Sequence, residues 1–133
     1  APLMRTTGCR LSVESPPDIR VSIDTGAFGQ LITNLVVNAT VHAFQGVSDR
    51  RIRIVASLDA GTIRVAVIDN GTGIPSAVIP KLFTPFFTTR RGDGGTGLGL
   101  FISRRIAQES LGGTLVAEPA KPTGSRLVLS FPA

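Results

Sequence analysis

Residues 92–101, GDGGTGLGLF, hold five glycines in ten positions and then run into a segment with helical spacing. Glycine at this density lets a backbone wrap closely around a ligand, most often a phosphate. No Lys-Ser or Lys-Thr pair follows, so the phosphate-loop signature is not met. No obvious strand precedes it either, as a dinucleotide fingerprint requires. Gly97 and Gly99 would bring N–H groups to a phosphate at the start of the next helix, with Arg90 and Arg91 adding charge. Just upstream, in KLFTPFFTTRR, Phe83, Phe86 and Phe87 suit a loop anchored by packing, and equally plain core aromatics.

Two further groups carry potential chemistry. DNGTGIP, residues 69–75, closes an apolar run. Asp69 can accept a hydrogen bond from an exocyclic amine, while Gly71 and Gly73 let the chain turn tightly beneath a flat ring. Asn-Gly is also a common turn dipeptide, so the stretch alone leaves turn and site equally open. Gln30, Asn34, Asn38 and His42 recur every four residues and line one helical face. That stripe has no acid or lysine, whereas a solvated face normally carries them. Amides suit a place where a group is partly buried and must bond without adding charge. An ordinary polar helix side is the plainer alternative.

The elements that position these groups follow from periodicity. RLSVES and DIRVSID read as strands, separated by Pro16-Pro17. From about Ala27 to Phe44, Phe28, Leu31, Ile32, Leu35, Val36, Ala39 and Ala43 recur at three and four, which predicts a helix. RIRIVASLDAGTIRVAVIDN is two alternating runs joined at Asp59-Ala60-Gly61, a hairpin. SAVIPKLF predicts a helical turn or two interrupted by Pro80, and LGLFISRRIAQESL a helix stopped by Gly112-Gly113. TLVAEP and SRLVLSFP close the chain as strands. The order predicts an α+β domain: a two-layer sandwich, with a mixed, mostly antiparallel sheet of about five strands and about three helices on one face.

Composition bounds the rest. The 133 residues fit one domain, residues 1–133, with 42% apolar and 17% charged residues, which excludes a disordered chain. No apolar run reaches the roughly 18 residues of a membrane span, and no signal peptide opens the sequence. Cys9 is the only cysteine, which excludes an internal disulfide and points to a reducing compartment. The net charge of +5 raises nucleic-acid binding, but the arginines lie in small scattered groups and no Trp or Tyr is present to stack on bases.

Taken together and in order, the amide-lined helix, the Asp-x-Gly-x-Gly strand end and the glycine-rich loop resemble the ATP-binding domains of the GHKL family, which share the Bergerat fold. More closely, QLITNLVVNATVHAF, DNGTGIP, LFTPFFTTR and GTGLGLFISRRI, followed by GGTLVAE and GSRLVLSFP, resemble the catalytic ATP-binding domain of a bacterial two-component sensor histidine kinase. The resemblance covers about residues 18–132, and PFFTT before GTGLGL is similar to the nitrogen-regulator and dicarboxylate-sensor branch. It implies ATP and Mg²⁺ as cofactors, with Asn38 ligating the metal and Asn34 supporting the phosphate side. It implies that Asp69 reads the adenine amino group and that Gly71, Gly73 and Ile74 shape the adenine pocket. Gly95, Gly97 and Gly99 would belong to the lid over the phosphates, and Thr88, Thr89, Arg90, Thr96 and Leu98 would also bind ATP. Many relatives carry a lysine where this chain has Val41, and Arg90 or His42 would have to replace it. Ser125 stands where a threonine is common.

The resemblance also implies a reaction. GHKL chaperones, topoisomerases and mismatch-repair enzymes hydrolyse ATP with a Glu one turn before the magnesium Asn, acting as a general base. Here that position is Asn34, which cannot take a proton, so transfer to a supplied nucleophile is favoured over hydrolysis. The nucleophile would be a histidine on a separate dimerisation domain, since the one histidine here, His42, lies within the ATP-site helix and is followed by Ala43 rather than an acid. The expectation is therefore a monomeric C-terminal fragment of a longer kinase. It would be cytoplasmic, with its parent anchored in the inner membrane or free of it, and would act with a response regulator rather than nucleic acid. A GHKL serine kinase or anti-sigma factor, or an ATP-binding regulatory module, is the alternative.

Overall fold

The long hairpin at the centre of the chain organises everything else. In the computed structural model, β2 (Arg51–Asp59) and β3 (Thr62–Asp69) pair antiparallel from Ile52↔Asp69 to Asp59↔Thr62. Ala60 and Gly61 both take positive φ, 51° and 80°, as a two-residue turn between twisted strands requires. The structure describes residues 9–16, 23–42, 46–85, 99–120 and 123–133, and for Val41 and His42 the main chain alone. β1 (Arg10–Glu14) joins β2 in parallel, while β5 (Ser125–Pro132) lies antiparallel between β3 and β4 (Thr114–Pro119). The sheet order is β1-β2-β3-β5-β4. Five strands, mixed and mostly antiparallel, match the expectation.

Alternation along these strands decides where the core forms. Ile63, Val65 and Val67 of β3, Leu127, Leu129 and Phe131 of β5, and Leu115 of β4 point to one face. Against that face pack Leu31, Leu35, Val36 and Ala39 of α1 (Thr25–His42) and Leu100 of α2 (Gly99–Arg105). Phe28 meets Phe131 edge to face, with centroids 6.2 Å apart. The other face carries Arg53, Arg64 and Arg126, with Glu14 and Glu118 paired to the first and last; these side chains are largely exposed, while Ala66 and Val128 between them are buried. Exposed pairs of this kind contribute little stability.

Helix boundaries depart from the periodicity in informative ways. Asp24 caps α1: its Oδ1 accepts the Ala27 N–H at 3.0 Å, and its carbonyl accepts the Phe28 N–H at 3.0 Å. The helix therefore starts at Thr25, because Asp24 ends DIRVSID as a cap rather than as a strand residue. Most of that expected strand, residues 17–22, and the expected helix end at residues 43–45 lie outside the described residues. The second helix is regular only to Arg105 and continues as a π-helical turn, Ile106–Ser110, with the Leu111 N–H donating to Ile106 O. Gly113 then closes it, its N–H donating to Ala107 O at 2.7 Å. SAVIPKLF forms turns and a short 3-10 segment, Ile79–Lys81, with Pro80 in its first turn, where no N–H is needed. The described helices are thus two α-helices, the second extended by its π-helical turn, and this short segment, close to the expected three.

Candidate functional site

Asp69 is the last residue of β3, and its side chain points to the helix side of the sheet, the face it shares with Val67. A carboxylate that is only 6% exposed needs partners. Oδ1 accepts the Gly71 N–H at 2.9 Å and the Ser125 N–H at 3.2 Å, and Oδ2 accepts the Ser125 hydroxyl at 2.5 Å. Two of these donors come from the first residue of β5, which the sheet order places beside β3. Three donors fix the orientation of the carboxylate and leave acceptor capacity on Oδ2.

The backbone around Asp69 is close enough to require glycine. Gly124 has φ +99°, and a Cβ there would stand 1.9 Å from the Asp69 carbonyl oxygen. Gly73, at φ +86°, faces it, with its Cβ position 3.4 Å from Gly124 O. The result is a tight cradle of two chain segments, 69–73 and 123–125, at one end of the sheet. Gly71 is buried, while Gly73 and Ile74 are half-buried beside it.

Asn34 and Asn38 lie half-buried on α1, one turn apart on a common face. Leu31, Leu35 and Ala39 on the neighbouring face are buried, and this packing fixes the rotation of the helix. Among the described residues no group of three His, Cys, Asp or Glu side chains could hold a metal. Gly99 opens α2 and is half-buried. Thr88, Thr89, Arg90, Gly95, Thr96, Gly97 and Leu98 lie outside the described residues, as does the side chain of His42. The structure therefore brings together Asp69, Gly71 and Gly73, and sets Asn34 and Asn38 side by side on their helix.

Three residues matter here more than their sequence signal suggested. Ser125 reads as a mere variant of a common threonine, yet it makes the shortest bond to Asp69. Gly124, before it, is the glycine on which that approach depends. Cys9 is buried just before β1; burial pushes its thiol up, Arg50 opposes this, and the Asp69 carboxylate adds to it. The thiol thus lies within electrostatic reach of the site. No spacing rule links residue 9 to residue 69; only the sheet does.

The sequence profile of the histidine kinase-, DNA gyrase B- and HSP90-like ATPases matches residues 23–133. The two-component sensor PprA of Pseudomonas aeruginosa is 36% identical over 114 residues, covering 80% of this chain and 12% of that protein. The sensor protein ChvG of Rhizobium meliloti is 44% identical over 116 residues, covering 79% of this chain and 19% of that protein. The chain thus spans less than a fifth of the length of these two relatives. Among solved structures, the nucleotide-free catalytic domain of histidine kinase ThkA superposes with a TM-score of 0.84 at 32% identity, covering 98% of this chain and 83% of that one. A structure of ThkA in complex with the response regulator protein TrrA superposes with a TM-score of 0.80 at 29% identity, covering 98% and 36%. A profile spanning most of the chain, relatives that are sensor proteins and a fold shared with a histidine kinase catalytic domain lead to one assignment: the chain belongs to the histidine kinase-, DNA gyrase B- and HSP90-like ATPase family.

Proposed function

We propose that this chain is the catalytic domain of a sensor histidine kinase, which binds Mg-ATP and delivers its γ-phosphoryl group to a histidine on a dimerisation domain of the same protein. The observation that carries the reading is the Asp69 carboxylate, buried and held by Ser125 and Gly71 with acceptor capacity left on Oδ2. That arrangement suits an exocyclic amine such as that of adenine. Gly124 lets the 123–125 segment approach Asp69 closely enough for Ser125 to hold that carboxylate.

Asn34 and Asn38 suit the other end of the nucleotide. A magnesium ion dehydrates reluctantly and takes few protein ligands beside phosphate oxygens and water. The single hard oxygen of Asn38 fits that demand better than a carboxylate cage would. Bound there, the ion would neutralise phosphate charge as the transferring group loosens. Asn34 can donate to a phosphate oxygen but cannot deprotonate water, so the chain's own chemistry is to bind, orient and exclude water. In the transfer, an imidazole nitrogen of the acceptor forms a bond to the γ-phosphorus as the bond to the bridging oxygen breaks. ADP leaves, and the ring N–H proton is lost to solvent.

The sensor-protein relatives and the ThkA–TrrA complex support a response regulator as downstream partner. Among the described residues no helix is long and apolar enough to cross a membrane. We propose that residues 1–133 act as one such domain, with residues 86–98 supplying the phosphate-side contacts implied by the sequence. Titrating the chain with Mg-ATP by calorimetry tests the base site. Asp69→Asn exchanges a charged acceptor for an amide and should weaken binding by roughly 10–150-fold. Unchanged affinity would remove Asp69 from base recognition.

A further inference from the structure

Asn70 follows the base-recognising acid and is not itself buried, but each of its polar groups is engaged. The last rung of the β2–β3 ladder is Ile52↔Asp69. Past it, the Asn70 N–H donates to Arg51 O at 3.2 Å, as an ordinary antiparallel rung would. The return bond is different. The Arg51 N–H donates to the side-chain Oδ1 of Asn70 at 2.8 Å, in place of the main-chain carbonyl. That carbonyl accepts instead from the Thr123 hydroxyl at 3.5 Å. The other end of the amide, Nδ2, donates to Asp49 O at 2.6 Å. Donor faces acceptor at both ends, so only one orientation of the amide satisfies the network.

We infer that Asn70 is a positioning residue for nucleotide-base selection, acting through Asp69. The chain faces conflicting demands at this point. Asp69 must be held as firmly as a residue inside a strand, yet the backbone must leave the strand at once to form the Gly71–Gly73 turn. Strand ends fray because their last rungs are incomplete. By lending a side-chain oxygen to the rung, Asn70 completes the ladder beyond Asp69 while its main chain leaves the strand. Its Nδ2 ties the same point to the 49–51 segment that leads into β2. Asp cannot make that second bond, and Ala makes neither.

The inference rests on the reading of Asp69 as the acceptor for the adenine amine, and the test separates the two. The chain is titrated with Mg-ATP, with the magnesium complex of purine riboside triphosphate, which lacks the amino group, and with magnesium tripolyphosphate. The ratio of the first two affinities reports base selection; the third reports the phosphate side. Asn70→Ala, which loses both bonds, should lower the ratio by about five-fold or more, and Asn70→Asp, which loses the Asp49 bond alone, by about three-fold or more, with tripolyphosphate affinity held within about two-fold. A merely structural role would weaken all three ligands together. Asp69→Asn is the control. If it collapses the ratio while a folded Asn70 variant preserves it, the inference is overturned and the Asp69 reading stands. If Asp69→Asn leaves the ratio intact, the Asp69 reading fails and the inference fails with it. Should Asn70→Ala not fold, Asn70→Asp decides, because it keeps the shape and the Arg51 bond.

Discussion

Ser125 and Asp69 are separated by 56 residues, yet Ser125 gives the carboxylate two of its three bonds, from its hydroxyl at 2.5 Å and its N–H at 3.2 Å. β5 starts at Ser125 and lies beside β3, so the sheet alone brings the pair together. Removing the hydroxyl leaves Oδ2 without its partner and the carboxylate held through Oδ1 alone. Ser125→Ala should weaken Mg-ATP binding by about 3–30-fold, less than the roughly 10–150-fold worth of a charge-assisted bond because the lost bond orients the acceptor and does not touch the base. Ser125→Thr keeps the hydroxyl and should bind within about two-fold of wild type. Calorimetry on the three proteins checks this; equal affinities for Ser125→Ala and wild type would show that the bond does not orient Asp69.

Asn38 bears on metal. A ligand bound by the native state alone raises the melting temperature through linkage, so Mg-ATP should stabilise the chain. Chelating the magnesium should remove most of that rise, and Asn38→Ala should remove a similar share while leaving the ligand-free melting temperature within a few degrees, since Asn38 is only half-buried. Thermal melts with ATP, with and without magnesium, provide the comparison. A variant stabilised by Mg-ATP as fully as wild type would exclude Asn38 as the ligand.

Cys9 makes a pH prediction. Its thiol is raised above the ordinary value by burial first, with Arg50 opposing and the Asp69 charge adding to the rise. The thiolate is the reactive form, so alkylation of the folded chain should be slow at neutral pH, and its rate should climb at higher pH than for the unfolded chain. The sign for stability follows: the native state keeps the proton, so the contribution is present below the unfolded thiol's pKa and is lost as pH rises toward the native value. Rates of iodoacetamide labelling in buffer and in denaturant, across pH 7–10, supply the check. Equal profiles in the two states would show an accessible, unperturbed thiol.

Much of this was legible in the residues. Period-two alternation marked β2, β3, β4 and β5, and the three-and-four spacing from Phe28 to Ala39 marked α1. DNGTGIP placed Asp69 at a strand end because the apolar run stops there. The details that escaped are those set by contacts between distant segments. Asp24 belongs by pattern to an alternating run, yet its carboxylate serves as a cap. The widening of the second helix at Ile106 leaves no trace in a spacing that reads as α-helical throughout. Ser125 and Gly124 gain their importance only when β5 is laid beside β3. Asn70 resembles any turn asparagine until its amide is seen completing a rung.

Incubation with γ-labelled Mg-ATP distinguishes a site that serves transfer to a histidine from one that hydrolyses the nucleotide. The chain alone should bind the nucleotide, neither label itself nor hydrolyse it appreciably, Asn34 standing where a general base would be needed. Adding the dimerisation domain proposed to share its full-length protein, as a separate polypeptide, should place an acid-labile, alkali-stable phosphoryl group on that domain. Labelling should rise with concentration, because tethering is absent. Robust steady-state hydrolysis by the chain alone, or acid-stable labelling of a serine on a partner, would contradict the account.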